Sequence, residues 1–587
     1  MRILTENSIN RVRERLGQLY GESEAPRLAQ RLSVLADRYA RSLLSRYRPD
    51  KDLWDQQDVV LITYGDMLHT AGEPPLATLR RFLAQRLKGS IRIVHLLPFY
   101  PSSSDEGFSV IDYREVDPAL GSWRDVQAIG EDFDLMFDLV LNHASSQSKW
   151  FKQFINGVAP YRDYFIDIEA DTDLSAAVRP RTSPLLTPAQ TPSGERYIWT
   201  TFSADQIDLN FASQDVLFEF LDILLLYLQN GARIVRLDAI AYLCKQVGTS
   251  CINLPQTHEV VKLLRDVLDM LAPDVLLLTE TNVPHEQNIS YFGDGDEARM
   301  VYQFSLPPLL LHALHTGSSR YLSAWASSLQ DPPAGCCFLN FSASHDGIGL
   351  RPLEGLIPDP ELQDLVDTIR KRGGHVSSYT RGDGSQRPYE LNIGWYDALA
   401  DPEYRDSDGH IARFLCSQTL VMALKGIPAV YFHSLTATHN DPAGVQRSGQ
   451  PRSINRKRWQ AGELNSLLDE AATPTSRVFQ EYTRLLRLRA EHCAFHPDGA
   501  QRVLQLEDSL FGIERASPDE TERLFCISNL TPRTRQLDAE QFGQAAGEHE
   551  WHDLIEGQSH AFGGDATLKL QPWQTLWLKR VPDEQQA

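Results

Sequence analysis

Eight runs of mostly apolar, often β-branched residues recur along the chain. They lie at 58–66 (DVVLITYGD), 91–99 (IRIVHLLPF), 134–143 (DLMFDLVLNH), 231–239 (GARIVRLDA), 274–281 (DVLLLTET), 299–306 (RMVYQFSL), 336–346 (CCFLNFSASHD) and 426–432 (GIPAVYF). Near-continuous apolarity suits parallel strands covered on both faces, and helical segments separate the runs. Together they predict an α/β chain built on a (β/α)8 TIM barrel.

Two intervals are too long for a simple strand-to-helix connection. The first follows His143 and is rich in Pro, Thr, Asp and aromatics; the second contains the polar, Gly-rich loop RGDGSQRPYE. Both are expected to reach the barrel mouth. Beyond about residue 496, RVLQLED, SLFGIERA, RLFCISNL and TLKLQPWQTLWLKR read as antiparallel strands. The expected division is a helical extension (1–56), barrel (57–143), an inserted domain B (144–212), barrel (213–346), an inserted loop domain B′ (347–400), barrel (401–495) and a C-terminal β-domain (496–587).

Composition narrows the function. A formal charge of −21 over 587 residues argues against nucleic acid and anionic membranes as partners. The opening MRILTENSINRVRERLGQLYGE is charged and helix-like, and no apolar run approaches about 18–20 residues. A soluble, cytoplasmic protein is therefore expected. Seven cysteines without CxxC pairs or metal-ligand spacing suit buried free thiols better than disulfides or a zinc site.

Polar residues gather where the apolar runs end: Asp66, His143, Asp238, Glu280, His345 and Asp346. That is the end of a barrel at which active sites lie. A lone Asp among them reads better as a cap or a solvated strand end, but several on one rim do not. Arg236 and Asp238 are two apart on one strand, hence on one face, and an arginine beside a carboxylate favours its ionised form. An ionised Asp238 opposite a protonated Glu280 is the pair needed to cleave a glycosidic bond with retention, so Glu280 is expected to titrate high and Asp238 low.

DLVLNH, GARIVRLDA, LLLTET and NFSASHD resemble, in order and spacing, the four signature regions of the α-amylase superfamily. The resemblance implies Asp238 as nucleophile, Glu280 as acid/base and Asp346 as transition-state stabiliser, with His143, Arg236 and His345 on the glucosyl ring. PFYPSSSDEGFSVIDY, VRPRTSPLLTP, RLDAIAYLCKQVGTSC, QFSLPPLLLHAL and SHDGIGL are similar to the sucrose phosphorylase branch. This adds Asp105 and Arg456 on the far glucose hydroxyls and Phe108 as a ring platform, for which core packing is the alternative. It also implies Arg179 and Arg181 as phosphate ligands, with solvated loop charge as the alternative, and Tyr242 and Tyr389 as hydroxyl donors.

The chain departs from sucrose phosphorylases at two places. PYE stands at 388–390 where they typically carry Leu-Tyr-Gln, and Thr281 and Asn282 follow Glu280 in place of Val-His. TETNVPH, NFSASHDGIGLRPLEGLIPD and PYELN resemble instead the glucosylglycerate phosphorylases of the same branch. That family implies D-glycerate as acceptor, placing Asn282 and Glu390 beside the arginines, with Lys245, Arg381 and Arg387 as further candidates. The implied small-molecule partners are an α-glucoside, phosphate and D-glycerate, without a cofactor or metal, although Asn142 lies where many amylases hold calcium; the expected assembly includes a homodimer. Rival readings are a phosphorylase of sucrose, sucrose 6-phosphate or glucosylglycerol, a hydrolase, and a silent amylase-like binding protein.

Overall fold

The computed structural model describes residues 6–44, 52–181, 183–380, 385–401, 403–538, 549–562 and 567–581. Each of the eight apolar runs contains one strand: β1 Val60–Thr63, β2 Ile93–Leu96, β3 Asp134–Leu139, β4 Ala232–Leu237, β5 Leu276–Thr279, β6 Met300–Tyr302, β7 Cys337–Phe341 and β8 Ile427–Tyr431. They close a barrel in chain order, and β8 pairs with β1. All eight pairings are parallel, and Val60 stands opposite both Ile93 and Ala429. The fold is thus a TIM barrel.

Burial on both faces explains the unbroken apolar runs. All four residues of β1 and of β5 are buried, and ten residues of the helix Gln214–Gln229 are buried as well. Truncating a fully buried leucine such as Leu278 would cost about 2–5 kcal/mol. This core holds the strand ends in place.

Three further modules surround the barrel. Between β3 and β4, His143–Ser145 pairs with Gln206–Asp208, and Asp167–Ile168, Leu186–Thr191 and Gly194–Trp199 form a small antiparallel sheet. Between β7 and β8, Gln386–Asn392 is the central strand between Ile348–Gly349 and His375–Thr380. Beyond the barrel, Leu510–Ala516, Arg523–Asn529 and Thr575–Arg580 run antiparallel in a six-stranded sheet.

The N-terminal helices α1 Glu6–Tyr20 and α2 Ala25–Leu44 flank the barrel through ion pairs. Arg11 meets Asp266 at 2.8 Å, and Arg31 meets Asp215 at 2.7 Å. All seven cysteines are free. Five are buried, including Cys336 and Cys337, but Cys244 is half-buried and Cys493 is exposed. The expectation of uniformly buried thiols is corrected there: Cys493 opens a short turn after the long helix Pro474–Ala490, outside the sheet core. Among the described residues no helix is long and apolar enough to cross a membrane.

Candidate active site

Asp238, Glu280 and Asp346 meet in one pocket, each a step or a few residues beyond the end of its strand. Beneath them runs a buried charge chain: His95 Nε2 lies 2.7 Å from Asp138 Oδ2, and the Arg236 guanidinium bonds both Asp138 and, at 2.8 Å, Asp238 Oδ1. Arg236 is 3.9 Å from Glu280. Asp138 was not singled out from the sequence. Its signal is a charge in the middle of an apolar strand, since buried charges must be paired.

The backbone joins the first two acids directly. Ala239, next to Asp238, is held at φ 49°, and its N–H donates to Glu280 Oε2 at 2.8 Å. A left-handed alanine is strained and persists only where its surroundings enforce it. Here the strain turns an amide toward the second acid.

Burial pushes the Asp238 carboxyl well above its usual range, with Arg236 opposing and Glu280 adding to the rise. Burial also raises Glu280, again against Arg236. The expected lowering of Asp238 is therefore corrected, because desolvation outweighs the arginine. Between the two, the charge belongs on Asp238, whose contact with Arg236 is a direct charge-assisted hydrogen bond. Asp346 behaves differently. Burial alone would raise it, but Arg452, His345 and Arg456 together hold it well below the carboxylate range.

Of the other glucosyl-side candidates, Asp105, Phe108, His143 and His345 line the same pocket, and Arg236 and Arg456 lie outside its lining. Phe108 stacks on His345 with ring centroids 4.9 Å apart and interplanar angle 4°, and it lines the pocket while only 5% exposed. It is thus a buried residue that also borders the pocket. His143 donates to the Phe108 carbonyl at 2.9 Å if Nε2 carries the proton, and burial lowers its pKa and that of His345, leaving both rings neutral hydrogen-bonding groups. Arg456 lies below the pocket, donating to the His345 carbonyl at 2.9 Å and approaching Asp105 at 3.6 Å. Asp105 and Glu106 are left-handed at φ 50° and 48°. Gly107 completes this turn, and a Cβ there would meet the Pro98 carbonyl at 2.5 Å.

The acceptor-side candidates divide. Arg181, Tyr242, Asn282, Tyr389 and Glu390 line the pocket. Burial raises both tyrosine hydroxyls, keeping them protonated donors. Arg181 lies over the Tyr389 ring at 5.6 Å and 3.9 Å from Glu390, whereas Asn282 Oδ1 is buried without a partner. Arg179 does not join them: it donates to the Ser183 carbonyl at 2.8 Å and lies outside the pocket lining. Arg387 pairs with Asp359 at 2.9 Å, Asp66 pairs with Arg458 at 2.7 Å, and Arg381 lies outside the described residues.

Lys245 is a correction with a clear cause. Its ammonium is buried, 2.6 Å from Asp208 Oδ2 and 2.6 Å from Asn142 Oδ1, so it cannot reach an acceptor. It supplies a fixed positive charge beside Asn142, the position compared above with the calcium site of many amylases. Among the described residues no group of three or more His, Cys, Asp or Glu side chains is arranged to hold a metal.

Two arginines were missed from the sequence. Arg452 forks onto Glu390 at 2.7 and 3.1 Å and reaches Asp346 at 2.6 Å, joining the third acid to the acceptor loop. Its signal was its place in PRSINR, four residues before Arg456. Arg351 lies over the Tyr379 ring at 6.0 Å with its Nε buried and unpartnered.

Residues 88–328 match the family model for the α-amylase catalytic domain. The chain is 44% identical over 580 residues to glucosylglycerate phosphorylase from Allomeiothermus silvanus, covering 98% of this chain and 100% of that one. The chain belongs to the glucosylglycerate phosphorylase family. A second member, the glucosylglycerate phosphorylase of Escherichia coli, is 42% identical over 571 residues, covering 97% of this chain and all of its own. Among solved structures, sucrose 6F-phosphate phosphorylase from Thermoanaerobacter thermosaccharolyticum superposes with a TM-score of 0.70 at 28% identity, covering 81% of this chain and 94% of that one. Membership of the glucosylglycerate phosphorylase family thus rests on full-length similarity.

Proposed function

We propose that this chain is a retaining α-glucoside phosphorylase that moves a glucosyl unit between glucosylglycerate and phosphate, giving α-glucose 1-phosphate and D-glycerate. In the first displacement Asp238 attacks the anomeric carbon as Glu280 gives its proton to the departing glycerate oxygen, leaving a glucosyl ester on Asp238. Phosphate then attacks the same carbon, the ester bond breaks, Asp238 leaves as carboxylate, and Glu280 takes up the proton phosphate brings. Two inversions give net retention. Asp346, held ionised by Arg452 and Arg456, favours the positive charge that develops on the sugar.

One observation carries the choice of an anionic acceptor. The carboxylate floor faces a wall where Arg181 lies over the Tyr389 ring beside Tyr242 and Asn282, and Arg351, outside that lining, adds a positive charge that opposes the rise of both tyrosine hydroxyls. Arg351 has no carboxylate within ion-pair distance among the described residues. Phosphate and D-glycerate are both anions, and planar guanidinium groups suit both. The two relatives at 42% and 44% identity bear the same name as this reading.

The test is incubation with α-glucose 1-phosphate and, separately, D-glycerate, fructose, fructose 6-phosphate and glycerol, following phosphate release. Release with D-glycerate alone is expected. Release with another acceptor instead would refute this reading of the wall, and no stimulation by any would refute phosphorolysis. We read the enzyme as cytoplasmic, where its phosphate ester would be retained, and as a homodimer; cell fractionation and light scattering against the 66.3 kDa chain mass test these.

A further inference from the structure

A second cationic cleft lies away from the catalytic pocket and shares no lining residue with it. It opens where the helices Leu306–Thr316 and Asp408–Ala423 meet the C-terminal domain, and Arg372, Arg413, Arg533, Arg535, Asp401 and Trp573 line it. Four guanidinium groups therefore face one carboxylate, in a chain whose overall charge is −21. None of the four has an ion-pair partner among the described residues.

The inner two are fixed. Arg413 is 9% exposed and donates to the carbonyls of Leu399 at 2.9 Å and Leu314 at 2.7 Å. Its Nε is buried without a partner, and its guanidinium lies 5.0 Å from the centre of the Trp573 ring. Arg372 donates to the Ala398 carbonyl and approaches His315 Nε2 at 3.1 Å. Burial pushes Arg413 down to about 10, and burial with the neighbouring Arg413 charge pushes Arg372 down to about 9. Burial lowers His315 well below its usual value, with both arginines adding to the shift, so the ring is neutral. Carbonyl contacts position these guanidiniums but leave their charge uncompensated.

We propose that this cleft is a binding site for a small organic phosphate carrying at least two negative charges. The inner arginines and the rim pair Arg533 and Arg535 hold the phosphate oxygens, and Trp573 offers an apolar face to the organic part. Guanidinium forks match phosphate geometry. Four guanidiniums against one carboxylate leave three positive charges, of which a monoanion offsets one and a dianion two.

The experiment is calorimetric titration of inorganic pyrophosphate into the full chain, with the Arg533→Ala/Arg535→Ala double variant and, separately, Arg181→Ala in the catalytic pocket. The expected result is a binding event that survives Arg181→Ala and weakens at least tenfold in the double variant. Melting curves check that each variant folds. Should the double variant be unstable, the single reversal Arg533→Glu gives the same comparison. No uptake by the wild-type chain at millimolar pyrophosphate, equal affinity in the rim variants, or loss of all binding in Arg181→Ala would each overturn the proposal.

Discussion

The floor of the catalytic pocket and its acceptor wall are built on opposite principles. Floor charges are paired before any substrate arrives: Arg236, near the end of its strand, to Asp138 and Asp238, and, from the segment well beyond β8, Arg452 to Asp346 and Arg456 to Asp105 and the His345 carbonyl. The wall comes from the two long insertions and the segments after β4 and β5, and its Arg181 and Tyr242 carry no such direct pairing to the catalytic acids, although single buried atoms lack a partner on both sides, Asn282 Oδ1 on the wall and Arg236 Nε and His345 Nδ1 on the floor. A floor preorganised in this way suits the glucosyl unit, common to both half-reactions. The wall must accept two different anions in turn.

The largest expected effect lies on the floor. Asp238→Ala removes the nucleophile and should lower kcat by about 10⁴-fold or more; folding, read by circular dichroism, should be retained. Retention of more than a hundredth of the activity would break the contrast, since the floor would then not carry the chemistry. The profile of kcat/KM for glucoside cleavage should lose activity on its alkaline side as Glu280, raised by burial, gives up its proton. In Glu280→Gln that limb should vanish with the residual rate.

Below the floor, Lys245→Met leaves Asp208 buried without its cation. Removing one partner of a buried ion pair costs about 3–5 kcal/mol, so the melting temperature should fall by several degrees or more, while a chelator should leave the wild-type value unchanged. A chelator-induced fall would mean that a bound cation shares this role with the lysine.

Arg452 joins floor to wall, so Arg452→Ala should disturb both. Asp346 loses the group that most strongly holds it ionised, and the acid limb of activity should move to higher pH. The sign for stability follows from linkage. A carboxyl depressed in the folded state contributes above its unfolded value, about 4, and that contribution is lost as pH falls through the native value. The variant's stability deficit should therefore be largest near neutral pH and shrink on acidification, as urea melts at several pH values would show.

The same contrast governs what the sequence reveals. Strands buried on both faces leave unbroken apolar runs, so all eight barrel strands could be read, and Asp238, Glu280 and Asp346 are placed by the ends of those strands. The wall follows no period. VRPR does not say that Arg181 enters the pocket while Arg179 turns to the Ser183 carbonyl, because only the fold of the loop decides it. Lys245 resembled an acceptor ligand because its partners, Asn142 and Asp208, are 103 and 37 residues away in the chain. Even the raised Asp238 carboxyl depends on how much water the finished pocket excludes, which a neighbouring arginine in the sequence does not report.

The smallest effect sharpens the comparison most. Leu350 N–H donates to the Tyr389 carbonyl at 2.9 Å, which ties Arg351 to the strand bearing Tyr389 and Glu390. Its charge opposes the rise of both pocket tyrosines, Tyr242 and Tyr389, so its field reaches the acceptor space without a floor contact. Arg351→Ala should therefore leave the first displacement, followed as hydrolysis of an activated uncharged glucoside, within about twofold of wild type. The KM for D-glycerate should rise about tenfold, the equivalent of one exposed charge-assisted contact. Arg351→Lys should recover part of that loss, since charge is restored without the planar fork. Equal losses with charged and uncharged acceptors would assign Arg351 to holding the loop in shape, and the division between floor and wall would then not be one of charge.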